Sequence, residues 1–112
     1  MKVIKLKDMK GGWYVGDFEP AAYKTSDFEV CYKKHPAGEK WDVHYHKHAI
    51  EVNYLVRGKM KIQETILNEG DIFILYPWEI ADPTFLEDCE VVVVKSPSVP
   101  GDKIIVKGGQ DA

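Results

Sequence analysis

From Phe28 onward, apolar and polar residues alternate in short runs, and Gly or Pro closes nearly every run. Phe28-Glu29-Val30-Cys31-Tyr32-Lys33 and Trp41-Asp42-Val43-His44-Tyr45-His46 have the period of two of a half-buried strand. Val52 to Val56, Met60 to Ile62, Ile72 to Tyr76, Glu90 to Lys95 and Lys103 to Val106 read as further strands, which makes seven or eight. No window sustains the i, i+3, i+4, i+7 apolar spacing of a helix. Gly38, Gly58, Gly70 and Gly101, with Pro36, Pro77, Pro83, Pro97 and Pro100, recur at about the 8 to 12 residue spacing of a sandwich or barrel. The pattern predicts an all-β, antiparallel β-barrel over residues 28–106, with Val43 to His46 and Val52 to Val56 as adjacent antiparallel strands. Residues 1–24 are less regular. Gly11-Gly12 and Glu19-Pro20 suggest turns around a short strand, Trp13-Tyr14-Val15, that covers a sheet edge or a dimer edge.

The 112 residues fit one domain, and a 45% hydrophobic composition supplies an ordinary globular core. Charge excludes one class of partner. Lys+Arg total 15 and Asp+Glu total 18, so 15 − 18 leaves −3, and the lysines are spread among acids without a basic stripe. Nucleic acid is therefore not expected as a partner. The longest apolar run, Val91 to Val94, is far short of the ~18 residues of a membrane span, and the N-terminus has no secretory apolar run. A cytoplasmic protein without a membrane partner is the expectation. Cys31 and Cys89 lack CxxC spacing and read as small buried hydrophobes.

His44 and His46 stand two apart on a strand, so both imidazoles project from one face. Glu51 opens the next strand, and a closed hairpin would set its carboxylate beside the pair. Two neutral imidazoles and one carboxylate form a facial triad for a divalent transition metal, with positions left for water or substrate. HxH also occurs on ordinary surface strands, so the pair alone is a weak signal.

The full spacing G-x5-H-x-H-x4-E-x6-G is met by Gly38, His44, His46, Glu51 and Gly58. It resembles the first motif of the cupin superfamily. The second cupin motif is partly met by Gly70-Asp71-Ile72-Phe73-Ile74-Leu75-Tyr76-Pro77-Trp78-Glu79-Ile80-Ala81-Asp82, where Trp78 replaces a glycine and Ala81 stands in place of the fourth ligand, a histidine. The stretch from Ser96 to Lys103 also resembles the tail of small bacterial and phage cupins. The resemblance covers about Phe28 to Lys95. It implies a single-domain jelly-roll barrel with a metal inside its mouth, and commonly a homodimer.

The missing histidine leaves three readings. His44, His46 and Glu51 hold the ion alone; or Glu79, of the same strand parity as Ala81, is the fourth ligand; or the site has lost metal. Asp82 has the wrong parity for an unbulged strand. His48 shares the parity of the histidine pair but falls in the predicted turn, and His35 is expected to have no ligand role. Manganese, iron(II), zinc and nickel are all candidates, and an extra carboxylate would favour manganese or iron(II).

Two functions follow. One is a metal-dependent enzyme acting on a small molecule, with the ion as Lewis acid or dioxygen anchor and Glu79 as candidate catalytic base. The other is a non-catalytic cupin that binds a small molecule or carbohydrate. Trp13, Trp41, Tyr45, Tyr54, Tyr76 and Trp78 are available to line a pocket, although most aromatics simply fill cores. The apolar edge at Trp13 and Tyr14 and the Val91 to Val94 run predict a homodimer.

Overall fold

The computed structural model describes residues 1–106. The alternating runs become strands: β1 (Trp13–Gly16), β2 (Tyr23–Lys24), β3 (Glu29–His35), β4 (His44–His46), β5 (Ile50–Arg57), β6 (Lys59–Ile62), β7 (Thr65–Asn68), β8 (Ile72–Leu75), β9 (Thr84–Phe85), β10 (Cys89–Ser96) and β11 (Lys103–Ile105). One 3-10 turn, Leu6–Asp8, is the only helical element among the described residues. The fold is all-β.

Six strands form one sheet in the order β2-β1-β3-β10-β5-β8, with all pairs antiparallel except β1 with β2. β11 pairs with β4, and β6 lies between β7 and β9. Isolated bridges from Lys40 to Thr84 and from His44 to Ala81 tie the smaller sheets together. The N-terminal strand β1 pairs antiparallel along β3.

The core lies between the large sheet and the small ones. Leu55 of β5 and Val91 of β10 are buried against Met60, Ile62, Leu67 and Phe85. Leu55 is fully enclosed, and burying such a side chain stabilises the fold by about 1.5–3 kcal/mol. The turn between β5 and β6 needs Gly58: its φ is +102°, and a Cβ there would lie 2.3 Å from the Asp88 carbonyl oxygen.

Two expectations are corrected. β4 and β5 are not hydrogen-bonded neighbours; β4 pairs with β11, whereas β5 runs between β10 and β8. The three residues between them, Lys47 to Ala49, cross from one sheet to the other and do not turn back as a hairpin. Buried Asp102 fixes that crossing, because its carboxylate accepts the N–H groups of Lys47, His48 and Ala49 at 3.1, 2.9 and 3.0 Å. The strand expected from Trp41 starts only at His44, since Trp41 is turned by an indole N–H bond to Glu39 Oε1 at 2.6 Å.

Candidate functional site

The strand period puts Glu29, Cys31, Lys33 and His35 on the inner face of β3, Val91, Val93 and Lys95 on that of β10, and Glu51, Asn53 and Leu55 on that of β5. Register aligns them in rows. One row reads Glu29, Lys95, Glu51 and Leu75; the next reads Trp13, Cys31, Val93, Asn53 and Phe73. Opposite this grid, β4 contributes His44 and His46, and β11 contributes Lys103. Together these residues line a cavity of about 580 Å³, within the usual range for small-molecule sites. Its floor is apolar, built of Met60, Ile62, Phe73, Leu75 and Phe85.

His44, His46 and Glu51 all line this cavity. His44 Nδ1 lies 2.8 Å from the Asp42 carbonyl, so its protonated form there fixes the tautomer and leaves Nε2 with a lone pair. Burial lowers the pKa of His44, and burial followed by the charge of Lys95 takes His46 down to about 4. Both rings are neutral at pH 7. Glu51 Oε2 stands 3.6 Å from His46 Nδ1, and burial raises the pKa of this carboxyl against the opposing charge of Lys95.

The donor set has the chemistry a divalent ion requires: two neutral imidazoles and one enclosed carboxylate. Among the described residues, however, no three His, Cys, Asp or Glu side chains form a ready coordination cluster. Lys95 occupies the space beside them. Its Nζ is 3.5 Å from His46 Nε2, 3.3 Å from Glu29 Oε1 and 4.8 Å from the centre of the Trp13 ring.

The other predicted positions sort clearly. Ala81 is buried in the cavity wall beside His44, where the second motif's histidine would sit. Glu79 is not brought to the cavity: its carboxylate accepts the Tyr76 N–H at 2.9 Å and the Gln63 side-chain amide at 3.2 Å. Asp82 accepts the Gln63 N–H at 2.8 Å, and both acids therefore serve the β6–β7 turn. His48 is exposed on the crossing, with only its backbone engaged by Asp102. Trp78 lies on the outside, 61% exposed and stacked on Tyr45 with ring centres 5.1 Å apart. It keeps the left-handed φ of +71° that a glycine would adopt more easily.

Sequence reasoning missed the lysines and Asp102. Lys33, Lys95 and Lys103 all reach the cavity, and each rests over an indole: Lys33 at 4.2 Å and Lys103 at 4.7 Å from the Trp41 ring centre, Lys95 over Trp13. The signal was present in the inward parity of Lys33 and Lys95, but lysine on a strand ordinarily means a solvated face. At the far end of the cavity, His35 stacks on Phe85 at 4.0 Å and meets Glu39 Oε1 at 2.6 Å, so it serves packing and orientation.

No family profile and no curated protein matches the chain. Solved structures do. One is an uncharacterized conserved protein with a double-stranded beta-helix domain from Klebsiella pneumoniae subsp. pneumoniae MGH 78578, 22% identical with a TM-score of 0.67 over 74% of this chain and 73% of that one. KdgF from Halomonas sp. is 24% identical with a TM-score of 0.62 over 67% of this chain and 74% of that one. DMSP lyase DddQ from Ruegeria pomeroyi DSS-3 is 15% identical with a TM-score of 0.68; the match covers 84% of this chain but only 50% of that one. Cupin-2 and RmlC-like cupin structures are among the other matches.

Proposed function

We propose that this chain, which has the double-stranded β-helix fold of the cupins, binds a divalent transition metal through His44, His46 and Glu51 and holds a small molecule in the same cavity. The observation that carries the reading is the burial of two neutral imidazoles and a carboxylate around one cavity, at positions that fit the first cupin motif. The ion would supply Lewis acidity when bound. The chain's own residues orient it: the Asp42 carbonyl fixes the His44 ring, and Asp102 fixes the crossing that joins His46 to Glu51. Lys95 competes with the ion for His46 Nε2 and Glu51, so the affinity reports a balance between metal and ammonium.

The small-molecule role favours binding over turnover. With Glu79 committed to Tyr76 and Gln63, the one candidate general base has left the site, so a non-catalytic cupin is the simpler reading. A fold alone does not decide between them.

Titration of chelator-treated protein with manganese, iron(II), zinc and nickel tests the metal. His44→Ala and His46→Ala should each weaken binding at least about tenfold, close to 1.4 kcal/mol. His35→Ala and Glu79→Gln should leave it unchanged. Lys95→Met should strengthen it. Equal binding by wild type and the His44→Ala/His46→Ala double variant would refute the assignment.

A further inference from the structure

The charges around the cavity do not cancel locally. Lys95 is matched by Glu29 and Glu51, which flank it in register on the two neighbouring strands. Glu39 is taken by His35 and by the Trp41 indole, and Asp102 by three backbone N–H groups. Glu19 is paired with Lys24, and, Lys10 aside, that leaves Lys33 and Lys103. Among the described residues neither has a carboxylate within ion-pair distance, yet both ammoniums are turned over the Trp41 ring at the cavity. Two like charges held against one indole repel each other, and an anion bound by both relieves that repulsion.

A second observation lies deeper. Asn53 is 3% exposed on the cavity wall, and its side-chain Nδ2 makes no well-formed hydrogen bond, although the Glu51 carboxylate is near enough to feel its donor. A buried amide donor without a well-formed bond costs up to about 1–3 kcal/mol, so this one is available to an acceptor that a ligand brings. Register sets Asn53 two strands across and two residues along from Lys33. That is about 12 Å between backbones from ordinary sheet spacing, with both side chains lining the same cavity.

We propose that the cavity is a binding site for a small organic anion, its oxyanion held by Lys33 and Lys103 above Trp41 and an acceptor on its body taken by Asn53. The proposal rests on the reading that this cavity is the ligand site, but not on a metal. Glu39 is the positioning residue for the anion end, since its bond to the indole N–H holds the platform under both lysines. The apolar floor accommodates the carbon skeleton, which sets an organic anion apart from a bare inorganic one.

Calorimetric titration of chelator-treated full-length protein with malate, inorganic phosphate and the neutral diamide of malate tests this. Malate should bind and its diamide should not. Phosphate binding as tightly as malate would assign the head group to phosphate chemistry and overturn the role of Asn53 and the floor. Lys33→Gln and Lys103→Gln should each weaken malate at least about tenfold, and Asn53→Leu should weaken it with folding intact. Lys34→Gln removes the same charge from the outer face of β3 and should change nothing. Equal losses in Lys34→Gln and Lys33→Gln, or no malate binding, would overturn the proposal. If the metal titration fails while malate still binds, only the metal assignment falls.

Discussion

Ala81 pairs with His44 across a single antiparallel bridge: its N–H donates to the His44 carbonyl at 2.7 Å, and its own carbonyl accepts the His44 N–H at 3.0 Å. The small side chain is buried in the cavity wall, at the position the second cupin motif gives to histidine. Ala81→His should therefore add a donor beside the histidine pair and tighten divalent binding about tenfold or more. Overpacking should cost about 1–3 kcal/mol of stability in the metal-free protein. Calorimetric metal titration checks it, and unchanged affinity would show that a side chain at this bridge does not reach the ion.

Asp102 makes the second prediction. Burial alone would raise its pKa, but the N–H groups of Ala49, His48 and Lys47 outweigh that and hold it below the ordinary carboxylate value. In Asp102→Asn, the retained oxygen can still serve Lys47 and His48, while an NH2 faces the Ala49 N–H. The expected loss is about 2–3 kcal/mol in urea unfolding, together with weaker metal binding because the crossing no longer fixes His46 against Glu51. A variant within about 0.5 kcal/mol of wild type would contradict this.

The strands that sequence made legible are those whose alternation is bounded by Gly or Pro, such as β3, β5 and β10. β7 was hidden for a specific reason. The hairpin from Ile62 to Thr65 has a two-residue turn in which Gln63 and Glu64 take φ of +50° and +62°, the left-handed pair for which Asn-Gly is the usual signal. Bonds from Gln63 to Asp82, Glu79 and the Ile80 carbonyl supply what the turn residues lack, and this is why Glu79 looked like a site acid and is a turn support. That His44 and His46 share one face was legible because strand parity is local. The β4–β5 separation was not, since it depends on Asp102, more than fifty residues away in sequence.

The histidines predict how the metal-free protein responds to acid. His35, His44 and His46 all have folded pKa values below the ordinary 6.5, each with burial as the leading cause, and His46 is held at about 4. The unfolded chain thus takes up protons that the folded chain refuses, and stability falls as pH drops from about 6.5 toward 4. For His46 alone the gap corresponds to roughly 3 kcal/mol. Glu51 acts in the opposite direction, because its raised folded pKa lets the native state gain a proton first. Thermal melts from pH 7 to 5 should show a falling midpoint, with a shallower slope in His46→Asn. An unaltered slope in that variant would remove His46 as a cause.

The outer face of the large sheet carries the last prediction. Opposite to the cavity parity, register places Val30 and Tyr32, Val92 and Val94, Val52 and Tyr54, and Ile72 and Ile74 side by side on four strands. Val52, Tyr54, Ile72 and Ile74 are exposed at 37, 44, 67 and 42%. A contiguous apolar face of this kind is uncommon on monomers, and a second copy related by a two-fold axis would present the same face to it. We propose a homodimer through this face, to which the Val91 to Val94 run contributes only Val92 and Val94, because Val91 and Val93 face the cavity; the N-terminal strand is already used inside the chain to cover β3. Light scattering should report a mass near twice 12.8 kDa. Ile74→Glu should shift it to one chain, because an unpaired carboxylate would be buried at the centre of the contact. Both substitutions of choice, Ile74→Glu and Tyr54→Lys, leave the cavity face untouched, so anion and metal affinities should persist in the monomer. A wild-type mass of one chain at micromolar concentration would refute the pairing.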